Sequence, residues 1–177
     1  MDLELLQRRL GYFFGDRAIL IQSLTHTSFG HENQPEKPIA QRDNERLEFL
    51  GDAILDVIIS DLLLETFPSA SEGQLSKMRA AVVNEKTLTH VAKAIYLQDN
   101  LRLGKGEQQT GGNQKPSILS SAFEAVLAAI YIDGGYHAIY PVVRHLFAPL
   151  FSDEKELILL YDHKTQLQEL AQAKHRV

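Results

Sequence analysis

Apolar residues recur every three to four positions along most of this chain, the spacing of helices with one buried side. No stretch alternates apolar and polar residues between hairpin turns, as a half-buried strand would. The periodicity predicts helices near residues 2–13, 16–27, 44–66, 71–82, 84–95, 117–132, 137–150 and 154–161, and therefore an all-α fold. Two polar stretches read as loops. Gly30 to Asp43 contains Pro35 and Pro38, and Leu103 to Pro116 contains Gly104, Gly106, Gly111 and Gly112 with Lys105 and Lys115. After Tyr161 the run from Asp162 to Leu170 looks like a linker entering a new helix, so residues 1–152 are expected to form one domain and 153–177 a linker and the start of another.

With 177 residues and 44% hydrophobic content, the chain can bury a core unaided. It has no cysteine, so any bound metal must be held by oxygen or imidazole. The start, Met1-Asp2-Leu3-Glu4, is acidic where a signal peptide would be basic, and the best later apolar run, Ile118 to Ile132, is interrupted by Glu124. A soluble cytoplasmic protein without a membrane partner is the expectation. The net charge of -5 argues against a binder of phosphate backbones. A set of carboxylates around a divalent cation would also give this balance, with the ion supplying the missing positive charge.

The segment Asn44-Glu45-Arg46-Leu47-Glu48-Phe49-Leu50-Gly51-Asp52 brings the carboxylates into focus. At helical spacing Glu45, Glu48 and Asp52 fall within roughly 60° on one face, and Asp56 extends the stripe. Leu47, Leu50, Ile54, Val57 and Ile58 are expected to face the core. Like charges at this spacing repel, so the stripe is either a solvated acidic face near a helix start or a site for a cation. In the later helix from Ser117 to Ile130, Glu124 is the only charge. A carboxylate there must meet a cation, such as Arg46 or Lys77, a donor network, water or a metal ion. Ser117, Ser120 and Ser121 share its stripe and leave room for an ion with its waters. His26, alone at a helix end, is read as a structural hydrogen-bonder and not a base.

The nine residues from Asn44 to Asp52 resemble the signature of the ribonuclease III family. The agreement continues through Leu24-Thr25-His26-Thr27-Ser28, Glu72-Gly73-Gln74-Leu75-Ser76, Gly104-Lys105-Gly106-Glu107, Gly111-Gly112, Ser117-Ile118-Leu119 and Phe123-Glu124-Ala125, and so covers most of residues 5–150. The resemblance implies the helical endonuclease-domain fold of that family and hydrolysis of double-stranded RNA, including ribosomal RNA precursors and structured transcripts. It implies Asp52, Glu124 and Glu45 as catalytic residues, and Glu48, Asp52 and Glu124 as ligands of Mg2+, with Mn2+ as a substitute. One position departs from the pattern: Ser121 stands where the family usually has aspartate, and is expected to act on the metal only through water. Glu72, Lys105 and Lys115 are candidate RNA contacts, as are Lys77 and Arg79, and Phe49 is the implied anchor of a homodimer. Residues 162–170 resemble the entry into a double-stranded-RNA-binding domain. A non-catalytic RNA-binding or scaffold protein on the same fold is the rival reading, and a naturally short relative is a third.

Overall fold

In the computed structural model, which describes residues 1–151, ten α-helices and three single 3-10 turns enclose one main core. Helix α1 (Leu3–Leu10) starts where the Asp2 side chain accepts from the Leu5 amide and ends at Gly11, whose φ of 73° closes the turn. Helix α2 (Arg17–Ser23) is capped in the same way by Asp16. Two short helices follow, α3 (Thr27–Asn33) and α4 (Ile39–Arg42), then the long α5 (Glu45–Thr66). Helix α6 (Glu72–Val82) opens with a reciprocal Ser71–Gln74 capping box, and α7 (Glu85–Ala94) with Asn84. The short α8 (Lys105–Gln109) precedes α9 (Pro116–Gly134) and α10 (Tyr136–Phe147).

Helix α9 is the axis of the fold. Ala122, Phe123 and the whole run Ala125–Ile130 are fully buried, which explains why so little of this helix is polar. By length and hydropathy alone it could cross a membrane, but here α2, α5, α7 and α10 pack around it. Phe123 stacks obliquely on Phe147 of α10 with ring centroids 6.2 Å apart, and truncating either ring would cost about 3–5 kcal/mol. Against α5 the backbones approach tightly at Gly51, where any Cβ would collide with the backbone carbonyl of Glu124.

The expected loops are partly helical. Helices α3, α4 and α8 are too short for a periodic signature and are held by tertiary bonds: the Ser28 hydroxyl accepts from the Gly104 amide at 2.9 Å, Glu32 from the Lys105 amide at 2.9 Å, and the Ala40 carbonyl of α4 from the Gln22 side chain at 2.9 Å. Helix α2 stops four residues short of its expected end. The chain there runs extended, with Thr25 paired to Arg102 in an isolated parallel bridge; among the described residues no strand forms. Val57 is also placed differently from the expectation, for it is 59% exposed. The buried arc of α5 centres on Gly51, Leu55, Ile58 and Leu62, and Val57 lies on the far side of the helix from it. Val57 shares that far side with Phe49, Ala53 and Leu64, which are also exposed and fall within about 80° of one another. The helix expected at 154–161 and the restart at 162–170 lie outside the described residues.

Candidate active site

Two helices and one extended segment build the site. Asn44, 3% exposed, starts α5: its amide donates to the Thr25 carbonyl at 2.9 Å, and its carbonyl accepts from the Glu48 amide at 2.8 Å. The buried Asp43 carboxylate pairs with Arg42 at 3.2 Å and accepts from the Glu45 amide at 3.4 Å. The first turn of α5 is thereby fixed to the 24–27 segment. Neither Asp43 nor Asn44 was given a structural role from sequence; an aspartate and an asparagine directly before a helix start are the signal they offered.

The acidic stripe of α5 lies at the edge of its buried arc, so the close approach at Gly51 turns Glu48 and Asp52 toward Glu124 of α9. Glu124 is half-buried, and its carboxyl is pushed up to about 7, first by burial and then by the negative charges of Asp52, Glu48 and Asp56. Burial and these neighbouring carboxylates set its protonation. Ser121, one turn earlier on α9, donates its hydroxyl to Glu48 Oε1 at 2.8 Å. That contact ties the two helices together at the site and was not foreseen from sequence. Among the described residues no three carboxylate or imidazole groups form a ready-made cage for an ion. The donors present are all hard oxygens on an open face, a set that suits a divalent cation retaining part of its water shell.

Beside Glu48 lies a cavity of about 190 Å³ lined by His26, Thr27, Asn44, Glu45, Glu48, Ser117, Ile118 and Ser121. A larger one, about 500 Å³, lies on the other side of the 24–27 segment among Gln22, Thr25, Lys37, Arg42 and Arg102, and none of the site carboxylates lines it.

The remaining candidates are dispersed. Glu72 is exposed at the start of α6, where it accepts from Ser76 at 2.9 Å and borders a groove with Leu63 and Leu64. Those leucines stand more than ten residues beyond Asp52 on α5, about 17 Å along the axis, so the fold does not gather Glu72 with Glu48 and Asp52. Lys105 is exposed at the start of α8. The Lys115 ammonium is already engaged, at 2.5 Å from Glu107, which holds the Glu107 carboxyl below its ordinary range. Arg79 donates to the Ser60 hydroxyl at 3.0 Å. Phe49 is 82% exposed, which excludes an ordinary core role within the chain.

Residues 16–150 match the ribonuclease-III-like family. The chain is 48% identical, over 99% of its length, to ribonuclease 3 of Syntrophobacter fumaroxidans, of which it covers 73%. To ribonuclease 3 of Caldanaerobacter subterraneus it is 43% identical, covering 97% of this chain and 73% of that protein. Among solved structures it is similar to the nuclease domain of ribonuclease III from Campylobacter jejuni, with a TM-score of 0.76 and 39% identity over 84% of this chain and 97% of that one. Dicer from Pichia stipitis is a more distant likeness, with a TM-score of 0.57 and 26% identity over 78% of this chain and 57% of that one. With the carboxylates of α5 and α9 facing one another on this helical frame, the chain belongs to the ribonuclease III family.

Proposed function

We propose that Glu45, Glu48, Asp52 and Glu124 are the catalytic centre of this endoribonuclease, and that it hydrolyses phosphodiester bonds in double-stranded RNA with Mg2+, or Mn2+ in its place. The observation that carries the assignment is the juxtaposition of Glu124 with Glu48 and Asp52 across the contact between α5 and α9. A divalent cation bound by Glu48, Asp52 and Glu124 would activate the attacking water and offset charge on the developing phosphorane. Glu124 supplies the charge on α9, and the apolar packing around its helix holds it in place. Ser121 positions Glu48 by donating to Oε1. Glu45 and Asp52, exposed at the open face, stand where protons exchange with solvent.

Phe49, Ala53, Val57 and Leu64 form an exposed apolar stripe beside the acidic one, and a second copy of the chain is its proposed occupant. The Campylobacter structure is described by flexibility in a region involved in dimer formation, in keeping with that reading. Lys105 suits a phosphate contact, whereas Lys115 must share its charge with Glu107; Glu72 is assigned to the RNA groove apart from the metal. Ribosomal RNA precursors and structured transcripts in the cytoplasm are the proposed substrates. The domain boundary near residue 152, with a double-stranded-RNA-binding module begun beyond it, belongs to the same proposal. Incubating the protein with a long RNA duplex tests it: shortening in Mg2+ and none in EDTA is expected, and an intact duplex in both would overturn it.

A further inference from the structure

His26 takes no part in the chemistry assigned to the carboxylates, yet its ring lines the 190 Å³ cavity between Glu45, Glu48 and Ser121. Its tautomer is determined by its neighbours. Nδ1 accepts from the Ser28 amide at 3.3 Å, and a backbone amide can only donate, so Nδ1 carries a lone pair. The Ser28 hydroxyl lies 2.8 Å from the same nitrogen, and toward a nitrogen that carries a lone pair it can only donate. The neutral ring therefore bears its hydrogen on Nε2. Glu107 also senses this ring, but its Oε1 is bound to Lys115.

The cavity lining contains two carboxylates, no lysine or arginine, and the neutral polar groups of Asn44, Thr27, Ser117 and Ser121. Such a lining repels a phosphate and suits a neutral group that both donates and accepts. Its volume equals about six waters, room for a sugar and not for a base pair. Resting on the nuclease assignment above, we infer that this cavity receives the ribose next to the scissile phosphate. Its 2′-hydroxyl accepts from His26 Nε2–H and donates to Glu45, which makes His26 a determinant of RNA over DNA at the cut.

The test is a cycle between protein and substrate. His26→Asn keeps an acceptor to cap α3, where the His26 side chain now caps it, but lacks the reach of Nε2. A duplex with a single 2′-deoxynucleotide beside the scissile bond removes the other partner. One hydrogen bond predicts about a tenfold fall in kcat/KM from either change alone, and less than a further twofold when the second is added. Losses that multiply to about a hundredfold, or a His26→Asn enzyme as active as its parent, would overturn the inference. Duplex affinity in EDTA, read by fluorescence anisotropy, should show the same lack of additivity without any turnover. Should His26→Asn fail to fold, scanning the single deoxynucleotide along the strand with the parent decides: a loss confined to one sugar beside the cut supports the inference, and no such position refutes it. A parent that cuts the RNA but shows no coupling sinks this inference alone, whereas a parent inactive in Mg2+ sinks the nuclease assignment with it.

Discussion

The Ser121 hydroxyl donates to Glu48 Oε1 at 2.8 Å, a bond from α9 to α5 in the middle of the acidic site. It gives Ser121 a secondary role, because a hydroxyl orients its partner but supplies no charge to an ion. Ser121→Ala should lose only about tenfold in cleavage, in line with substitutions one step removed from a metal. Ser121→Asp adds a carboxylate beside Glu48 and should lower the Mg2+ concentration needed for half-maximal cleavage. A magnesium titration of both variants on one duplex checks this; a higher requirement for Ser121→Asp contradicts the assignment.

Glu124→Gln should abolish cleavage and leave the fold intact. Its effect on stability depends on pH. With the folded-state value raised from 4.5 to about 7, the folded protein holds this proton more tightly than the unfolded chain does. The resulting stabilisation is complete below about pH 4.5 and is lost as pH rises through about 7. In EDTA at pH 8 the Gln variant should therefore be the more stable, by about 1–2 kcal/mol once solvent screening is allowed for, and the gap should close toward pH 4.5. Mg2+ at pH 8 should raise the melting temperature of the parent and not of the variant. Thermal unfolding monitored by circular dichroism measures the stability effects, and cleavage of an RNA duplex the loss of activity.

Gly51→Ala should destabilise the domain by about 3 kcal/mol, since the added methyl meets the backbone of Glu124 and no side-chain rotation relieves the collision. The helices must separate there, so activity should fall even where the variant remains folded. An alanine variant melting within a degree of the parent would show that α5 and α9 do not meet in this way.

Phe49→Asp should give a monomer by sedimentation, because it places a charge on the apolar stripe proposed to face a second copy. A parent already monomeric at micromolar concentration would remove the basis of this expectation.

Cleavage should be weak at moderate salt and recover as salt is lowered, since a chain of net charge -5 makes few phosphate contacts to offset its own field. Tight binding insensitive to salt would reveal a basic surface outside the residues considered for RNA contact.

The long helices were legible in the chain because each carries several turns of one pattern, and a 3.6-residue period repeated over α5 or α9 leaves little choice of face. The acidic stripe Glu45, Glu48 and Asp52, and the lone charge Glu124, follow from the same periodicity. Helices α3, α4 and α8 were not legible, for they depend on bonds to residues 18 or more positions away, such as the Gln22 side chain to the Ala40 carbonyl, Glu32 to the Lys105 amide and Ser28 to the Gly104 amide. Nor does periodicity measure how wide a buried arc is, which is why Val57 was placed on the core side and stands in solvent. By itself the sequence determined that two helices carry acidic residues. Only tertiary packing decided that Gly51 lets them touch, that Ser121 reaches Glu48, that Glu72 stays apart, and that His26 lines one cavity with Glu45 and Glu48. The reason is physical: spacing along one helix fixes direction about its own axis, whereas distances between helices depend on side-chain volumes at their crossing.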